Sequence, residues 1–273
     1  GGDGHDVFLG SVDYDKIVVG DFEHGVDRFA TDSPVLVVSA FSGRPNEVIA
    51  SGDEAGAVDT DGDKLIDNYL SLAGPLTQSD FLFYAFAGDH THERKVGTGM
   101  AELLLGRGGE DTLGGGAGDD WLFGGLSDDT LYGDAGADLL VGNAGNDILK
   151  GGAGNDELDG GDANDTLRGD AGADRLEGGI GKDILTGGVG ADTFVFKAGD
   201  SGMGGNNRDY ITDFISGDDK IDITALGPNI VFKISGTPIG SLVSIDTDHN
   251  GSYDMQITTR GNVAESDLLI ALI

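Results

Sequence analysis

An apolar residue recurs every nine positions through the middle of the chain, from Leu113 to Phe194. Each one stands two positions after an aspartate, and each aspartate closes a glycine-rich hexad such as residues 151–156, Gly-Gly-Ala-Gly-Asn-Asp. The three residues that follow a hexad can form a short strand whose central apolar side chain points inward. Two nonapeptides then make one coil, and successive coils pair in parallel. The pattern predicts a stack of coils around a leucine-rich core.

Ten aspartates keep this nine-residue register without a gap. They are Asp111, Asp120, Asp129, Asp138, Asp147, Asp156, Asp165, Asp174, Asp183 and Asp192. Glycines at hexad positions 1, 2 and 4 let the backbone turn through positive φ and leave carbonyl oxygens unshielded by side chains. A hard cation such as Ca²⁺ takes about six to eight oxygen ligands. One carboxylate per turn and carbonyls from two stacked turns can supply them, so the repeat predicts calcium sites.

The hexads are expected to form two rows, with odd-numbered hexads on one edge and even-numbered hexads on the other. An ion would lie between hexad n and hexad n+2, so ten hexads contain ten minus two, or eight, such pairs. Position 4 is glycine in all even hexads, namely Gly118, Gly136, Gly154, Gly172 and Gly190. Ser127 and Ala163 stand there in two odd hexads, and Arg107 stands at position 2 of the first. The odd row is therefore expected to bind calcium more weakly.

The nonapeptide Gly-Gly-x-Gly-x-Asp-x-apolar-x resembles the repeats of the RTX (repeats-in-toxin) family. This resemblance implies an all-β fold, a right-handed parallel β-roll loaded with calcium. It also implies a secreted bacterial protein that passes the type I secretion machinery unfolded and folds outside the cell, where calcium is abundant. Calcium ions and that machinery are the expected partners, and the expected location is extracellular.

The segments before and after the repeats look like copies of each other. Residues 1–8 parallel 187–194, and the acidic stretch 59–67 parallels 246–254. Each copy predicts a terminal repeat, a few strands, an acidic hairpin and a closing apolar segment, and repeat arrays need such ends to cover the last coil. Both copies resemble the region after the repeats in serralysin-type metalloproteases and mannuronan epimerase R-modules. That resemblance implies two β-rich caps, the second with a type I secretion signal, although its apolar end also suits a closing core strand.

Four segments follow from this organisation. Residues 1–86 are a first cap unit, 87–96 a polar linker, 97–194 the roll, and 195–273 the C-terminal cap. The roll begins with a degenerate nonapeptide that has Glu102 at the aspartate position. The chain itself begins within a nonapeptide whose aspartate is Asp6, which is a further candidate calcium ligand. We therefore expect the chain to be part of a longer protein.

Two acidic hairpins, one in each copy, carry alternating polar ligands. These are Asp59, Asp61 and Asp63 in the first copy, and Asp246, Asp248 and Asn250 in the second. An EF-hand loop needs a bidentate Glu at its twelfth position, where Leu70 and Ile257 stand. A calcium-supported turn and a plain turn of the Asx type both stay open.

Composition and charge narrow the class of partner. Sixteen basic and 49 acidic residues give a net charge of −33, which argues against nucleic acid and anionic membranes and favours divalent cations. There is no cysteine, so disulfide and thiolate chemistry are unavailable, and no apolar run is long enough for a membrane span. Without metal, charge repulsion and glycine entropy should keep the repeats unfolded.

Catalysis is not expected in this segment. The zinc-protease pattern His-Glu-x-x-His is absent, because His92-Glu93 is followed by Arg94-Lys95-Val96. The outward positions beside the core leucines include Trp121, Phe123, Leu139 and Val141. Such a patch is usually covered, here by the first unit or the linker, or else by a glycan or protein partner that uses Trp121. The alternative functions are thus an adhesion or polysaccharide-binding module, or the non-catalytic tail of a secreted hydrolase or epimerase.

Overall fold

The computed structural model describes residues 92–99, 101–203 and 208–271, and of residues 1–91 the backbone of the strands only. The described chain is nearly all β, with short 3-10 turns at Thr224–Leu226 and Glu265–Asp267 and no α-helix among those residues. It divides into two compact units, residues 1–85 with 101–103, and residues 86–100 with 104–273. The all-β class predicted from the sequence is confirmed.

The strands have the following bounds. Along residues 1–91 they are β1 Val7–Leu9, β2 Lys16–Val18, β3 Arg28–Thr31, β4 Leu36–Val38, β5 Glu47–Ser51, β6 Ala55–Asp59, β7 Asn68–Ser71 and β8 Phe81–Ala87. From residue 92 to the end of the repeats they are β9 Arg94–Val96, β10 Glu102–Gly108, β11 Thr112–Ala117, β12 Trp121–Leu126, β13 Thr130–Ala135, β14 Leu139–Ala144, β15 Ile148–Ala153, β16 Glu157–Asp162, β17 Thr166–Ala171, β18 Arg175–Ile180, β19 Ile184–Val189 and β20 Thr193–Val195. After the repeats they are β21 Asp209–Ile211, β22 Lys220–Asp222, β23 Val231–Gly236, β24 Gly240–Asp246, β25 Met255–Arg260 and β26 Leu268–Leu269.

The repeats form a parallel β-solenoid with two sheets. Strands β9, β11, β13, β15, β17, β19 and β21 pair in one sheet, and β12, β14, β16, β18, β20 and β22 pair in the other. The register of β11 against β13 aligns Leu113 with Leu131, and that of β12 against β14 aligns Leu122 with Leu140. Successive nonapeptides thus alternate between the sheets, and each strand pairs with the strand two repeats away, as the sequence predicts.

The core is the column of residues two positions after each aspartate. All ten are at most 1% exposed: Leu113, Leu122, Leu131, Leu140, Leu149, Leu158, Leu167, Leu176, Leu185 and Phe194. Burying one such side chain stabilises a fold by roughly 1.5–3 kcal/mol. The column continues past the repeats through Ile211 and Ile221, which pair with Leu185 and Phe194.

The strands are longer than the sequence pattern predicts. Strand β11 runs over six residues, because the first three positions of the next hexad continue the ladder, as the pairing of Gly116 with Asp134 shows. Residues 94–96 were predicted to be part of a linker. In the structure they form β9, which pairs with β11. Glu102 stands at the aspartate position of the degenerate nonapeptide and Leu104 at its core position, and both side chains are fully buried, like those of the regular repeats.

The two flanking copies share the pairing of seven strands, each within its own unit, and the first copy has in addition β4, which is parallel to β5. In the first, β1, β3 and β8 are parallel, β2 is parallel to β7, and β7, β6 and β5 are antiparallel. In the second, β20, β22 and β26 are parallel, β21 is parallel to β25, and β25, β24 and β23 are antiparallel. The duplication inferred from sequence is therefore also a duplication of topology.

Candidate metal centre

Two columns of buried carboxylates run along the solenoid. In the odd row, Oδ1 of each aspartate accepts the backbone N–H of the aspartate two hexads earlier, as Asp129 does from Asp111 at 2.7 Å. The even row repeats this, with Asp138 accepting from Asp120 at 2.7 Å. The same bond recurs through the repeats at 2.7–3.0 Å. All ten aspartates singled out in the sequence lie in these columns and are at most 2% exposed.

In eight of these carboxylates the second oxygen has no hydrogen-bond donor. This holds for Oδ2 of Asp111, Asp129, Asp138, Asp147, Asp156, Asp165, Asp174 and Asp183. The space in front of Oδ2 depends on glycine at hexad position 1, since a Cβ on Gly133 would lie 2.4 Å from Asp138 Oδ2 and 2.5 Å from Gly151 O. A buried anionic oxygen without a donor is costly. A hard cation that takes oxygen ligands satisfies it.

Backbone carbonyl oxygens of stacked turns also approach the glycine positions of the hexads closely. The carbonyl at position 2 of one hexad points at the Cα of position 2 two hexads on, where a Cβ on Gly152 would lie 2.2 Å from Asp134 O. Position 4 behaves alike, because a Cβ on Gly154 would lie 1.8 Å from Gly136 O. The donor set is therefore all oxygen, from carboxylates and carbonyls of two stacked turns, which suits Ca²⁺ better than a nitrogen- or sulfur-binding metal.

Positive φ was predicted at positions 1, 2 and 4, and the prediction is wrong for position 1, where glycine instead leaves room for the aspartate carboxylate. Position 4 has positive φ in every hexad except at Gly181. The even row has glycine there throughout, with φ from 114° to 155° at Gly118, Gly136, Gly154, Gly172 and Gly190. In the odd row, Ser127 has φ 83° and Ala163 has φ 90°. An L-residue in this region is strained by roughly 1–2 kcal/mol. The strain that the sequence suggests for the odd row is present.

Position 2 also has positive φ, as predicted for its glycines, and it keeps positive φ where another residue replaces the glycine. Arg107, Asp134, Asn143 and Asp170 have φ between 72° and 76°. Asparagine and aspartate tolerate this region better than other side chains. The added strain is thus largest at Arg107, which belongs to the odd row.

Burial raises the pKa of the column carboxylates. The pKa is about 6 for Asp111, Asp138, Asp147, Asp156, Asp174, Asp183 and Asp192. Burial, with the neighbouring charges of Asp147 and Asp111, raises the pKa of Asp129 to about 7. Burial, with the charges of Asp183 and Asp147, raises that of Asp165 to about 8. Without a cation, the columns resist full ionisation near neutral pH.

Comparison with known families agrees with this donor set. The model of the RTX calcium-binding nonapeptide repeat matches in four overlapping copies, at residues 96–131, 105–140, 132–167 and 159–194. Residues 96–194 are RTX repeats. This RTX block is a calcium-binding fold of a non-catalytic type, and RTX repeats are typical of secreted proteins.

Solved structures with local likeness to the chain include two solution structures from the Azotobacter vinelandii mannuronan C5-epimerase. The AlgE6R3 subunit matches with 21% identity and a TM-score of 0.27, over 67% of this chain and 80% of that one. The AlgE6R2 subunit matches with 22% identity and a TM-score of 0.28, over 67% of this chain and 94% of that one. No curated protein matches the chain. At such TM-scores, the epimerase's properties do not transfer to this chain.

The carboxylate columns extend past the RTX repeats, which the sequence reasoning also missed. Asp183 N–H donates to Asp209 Oδ1 at 2.8 Å, and Asp192 N–H donates to Asp219 Oδ1 at 3.1 Å. On the N-terminal side, Glu93 N–H donates to Asp111 Oδ1 at 2.8 Å. The sequence does carry a signal, since Asp209 and Asp219 each precede an isoleucine by two positions. This signal is hard to recognise, because Asp209 and Asp219 follow Asp183 and Asp192 at 26 and 27 residues instead of the regular 18.

The acidic hairpin of the second copy joins β24 to β25. Carboxylate oxygens of Asp246, Asp248 and Asp254 lie within 4.8 Å of one another, whereas Asn250 donates its amide Nδ2–H to Asp248 at 2.8 Å. Asp246 accepts backbone N–H bonds from the loop at 2.7 and 3.0 Å. Since the loop's own donors hold this turn, calcium here stays a prediction.

The first hairpin and the first repeat are described less fully. Asp6, Asp61 and Asp63 lie outside the described residues, and of Asp59 only the backbone of β6 is described. The predicted apolar patch is not exposed as a whole, because Trp121 and Leu139 are buried and Phe123 and Val141 are half-buried. Across the described part of the chain, no helix is long and apolar enough to span a membrane.

Proposed function

We propose that the two carboxylate columns of the RTX block hold calcium ions between hexads n and n+2, about eight in all. The ligands are the ten repeat aspartates and the carbonyls of the glycine-rich positions, including Gly118, Gly136, Gly154, Gly172 and Gly190. The observation that carries this proposal is the row of buried Oδ2 atoms without a donor. In the described part of the chain, basic side chains pair with carboxylates outside the columns, such as Arg175 with Glu157 and Lys220 with Asp267.

Calcium binding is coupled to folding. Each buried carboxylate opposes the folded state until a cation neutralises it, and the unfolded chain offers no preformed site. Extracellular calcium modules work with dissociation constants of roughly 10⁻⁴ to 10⁻³ M, so the chain stays unfolded at cytosolic calcium. The protein is then secreted unfolded through the type I machinery and folds outside the cell. The absence of cysteine suits folding without oxidative help.

The domain organisation follows the same logic. Residues 97–194 are the roll, and residues 1–86 and 195–273 are the cap units. Residues 87–93 remain the predicted linker, because Arg94–Val96 add a strand to the roll. In the C-terminal cap, Ile211 and Ile221 pair with Leu185 and Phe194 and so close the exposed end of the core. An adhesive role through Trp121 has less support, since that side chain is 4% exposed.

Circular dichroism of the full chain tests the proposal. The β signal should rise cooperatively with calcium at about millimolar concentrations and fall again on chelation. Magnesium should substitute poorly, because it requires a smaller octahedral shell and retains its water. A chelated sample with full β content at neutral pH, or an equal response to magnesium, would count against calcium-driven folding.

A further inference from the structure

The loop after the last RTX repeat contains the first four positions of another odd-row hexad. Gly199 has φ 98°, close to the 89° of the glycine at position 2 of hexad 178–183. Gly181, at position 4 of that hexad, forms a parallel bridge with Ser201. Gly181 N–H also donates to the carbonyl of the residue before Ser201, at 3.3 Å, as position 4 does elsewhere in the row. Residues 198–201 therefore stand at positions 1 to 4.

The last two positions follow after residues 202–207. Asp183 N–H donates to Asp209 Oδ1 at 2.8 Å, and Tyr210 N–H donates to Asp183 O at 2.9 Å. The same pair of bonds joins Asp165 to hexad 178–183. Arg208 and Asp209 thus stand at positions 5 and 6 of a hexad that six inserted residues interrupt.

The first copy of the flanking unit has this hexad without the insertion. Asp6 and Asp15 are nine residues apart, and Asp15 precedes Ile17 by two positions, as Asp209 precedes Ile211. Strands β2 and β21, which follow these two aspartates, hold the same place in their sheets. The sequence of one copy therefore supports the hexad that the structure shows in the other.

The chemistry of the odd-row end differs from that of the even-row end. Asp209 is 1% exposed and its Oδ2 has no donor, like Oδ2 of Asp183. Asp200 is buried, and its carbonyl accepts Gly181 N–H of the hexad that contains Asp183. Burial raises the pKa of Asp183 and Asp209, and the charge of Asp200 adds to this increase. On the even row, Asp219 accepts Asp192 N–H at 3.1 Å with Oδ1 and Ile215 N–H at 2.7 Å with Oδ2. Both of its oxygens are satisfied by the protein.

We propose that residues 198–201 and 208–209 hold one more calcium ion against hexad 178–183, with Asp183 and Asp209 as carboxylate ligands, and that the even row has no counterpart at Asp219. This inference rests on the proposed calcium binding of the RTX block. Because this ion is bound by residues of both the last odd hexad and the C-terminal unit, calcium binding couples the folding of the two segments. Lys182 and Arg208, at position 5 of the two hexads, reduce the local negative potential and make this ion weaker than those within the repeats.

Calcium stoichiometry of the full chain tests the assignment. Asp209→Asn keeps an acceptor for Asp183 N–H but removes the charge, and because Asp209 is the last carboxylate of its row, it affects one ion only. Equilibrium dialysis at calcium concentrations that saturate the parent should show one ion fewer in Asp209→Asn. The matched variant Asp219→Asn should bind as many ions as the parent.

The outcomes separate this inference from the proposed function. An unchanged count in Asp209→Asn, or a loss in Asp219→Asn alone, overturns the inference while the parent still binds calcium. A parent that binds no calcium overturns the proposed function itself. If Asp209→Asn does not reach the parent's β signal in calcium, the variant Asp200→Asn is used instead. Its new amide oxygen can still accept the Lys197 N–H that Asp200 accepts in the parent. It should weaken one ion by about tenfold, and unchanged affinities overturn the inference.

Discussion

Protons should replace calcium in folding the metal-free RTX block. Burial raises the folded-state pKa of the column aspartates to about 6, and to about 8 for Asp165, above the value of roughly 3.9 in an unfolded chain. A group whose pKa is raised by folding stabilises the fold at low pH, and this contribution is lost as pH rises through the folded-state pKa. The metal-free fold should therefore gain stability as pH falls from about 8 toward 4.

The size of the effect follows from the same pKa values. Between pH 7.5 and pH 5.0, a carboxylate with a folded-state pKa of about 6 contributes roughly 1 kcal/mol, and one with a pKa of about 8 contributes roughly 3 kcal/mol. The nine repeat aspartates with raised pKa values give a gross gain on the order of 10–20 kcal/mol, which shrinks as neighbouring charges are neutralised in turn. Even a third of this free energy is comparable to the total folding stability of a small domain.

Far-UV circular dichroism of chelated protein at pH 7.5 and pH 5.0 measures this exchange. The β signal should be low at pH 7.5 and recover substantially at pH 5.0, and calcium at pH 7.5 should give the same spectrum. Asp165→Asn removes the most perturbed repeat carboxylate, so its metal-free transition should lie at higher pH than the parent's. A metal-free signal that is unchanged or weaker at pH 5.0 would refute the reasoning that buried carboxylate charge opposes folding.

Substitutions along the rows and a truncation give three further tests. In calcium titrations followed by circular dichroism, Asp156→Ala should raise the folding midpoint more than Asp165→Ala, and equal shifts would contradict the difference between rows. Ala163→Gly relieves a φ of 90° and should raise the free energy of unfolding in urea by up to about 1 kcal/mol. Gly154→Ala should lower it by at least as much, and the reverse order would show that position 4 is not strained. Deleting residues 195–273 uncovers the end of the core and should raise the calcium midpoint, so an unchanged midpoint would leave the C-terminal unit without a capping role.

The regular part of the fold could be predicted because its physical causes are local and periodic. An apolar residue two positions after each aspartate fixes the inward face, and the nine-residue period fixes which hexads stack. Those two facts predict the alignment of Leu113 with Leu131. Glycine at position 4 marks positive φ, which Ser127 and Ala163 also adopt.

The rest depends on contacts that the period does not encode. The strands extend into the hexads because neighbouring coils supply hydrogen-bond partners. The glycines predict positive φ at position 2, but only the structure shows that a residue such as Asn143 keeps it there. Asp209 and Asp219 could not be predicted as members of the columns, because their spacing from the last repeats is irregular. Only the tertiary hydrogen bonds from Asp183 and Asp192 place them there. Which oxygen of each carboxylate lacks a donor is likewise set by the fold.

Hydrogen exchange resolved by residue tests most directly whether calcium binding and folding of the RTX block are one event. The backbone N–H groups of the repeat aspartates donate to the next carboxylate in each column, as Asp138 N–H does to Asp156 at 2.9 Å. With low-millimolar calcium at pH 7.5, these amides should exchange slowly and as one group. After chelation at the same pH, they should exchange at the rates of an unfolded chain, and persistent protection without calcium would contradict the coupling.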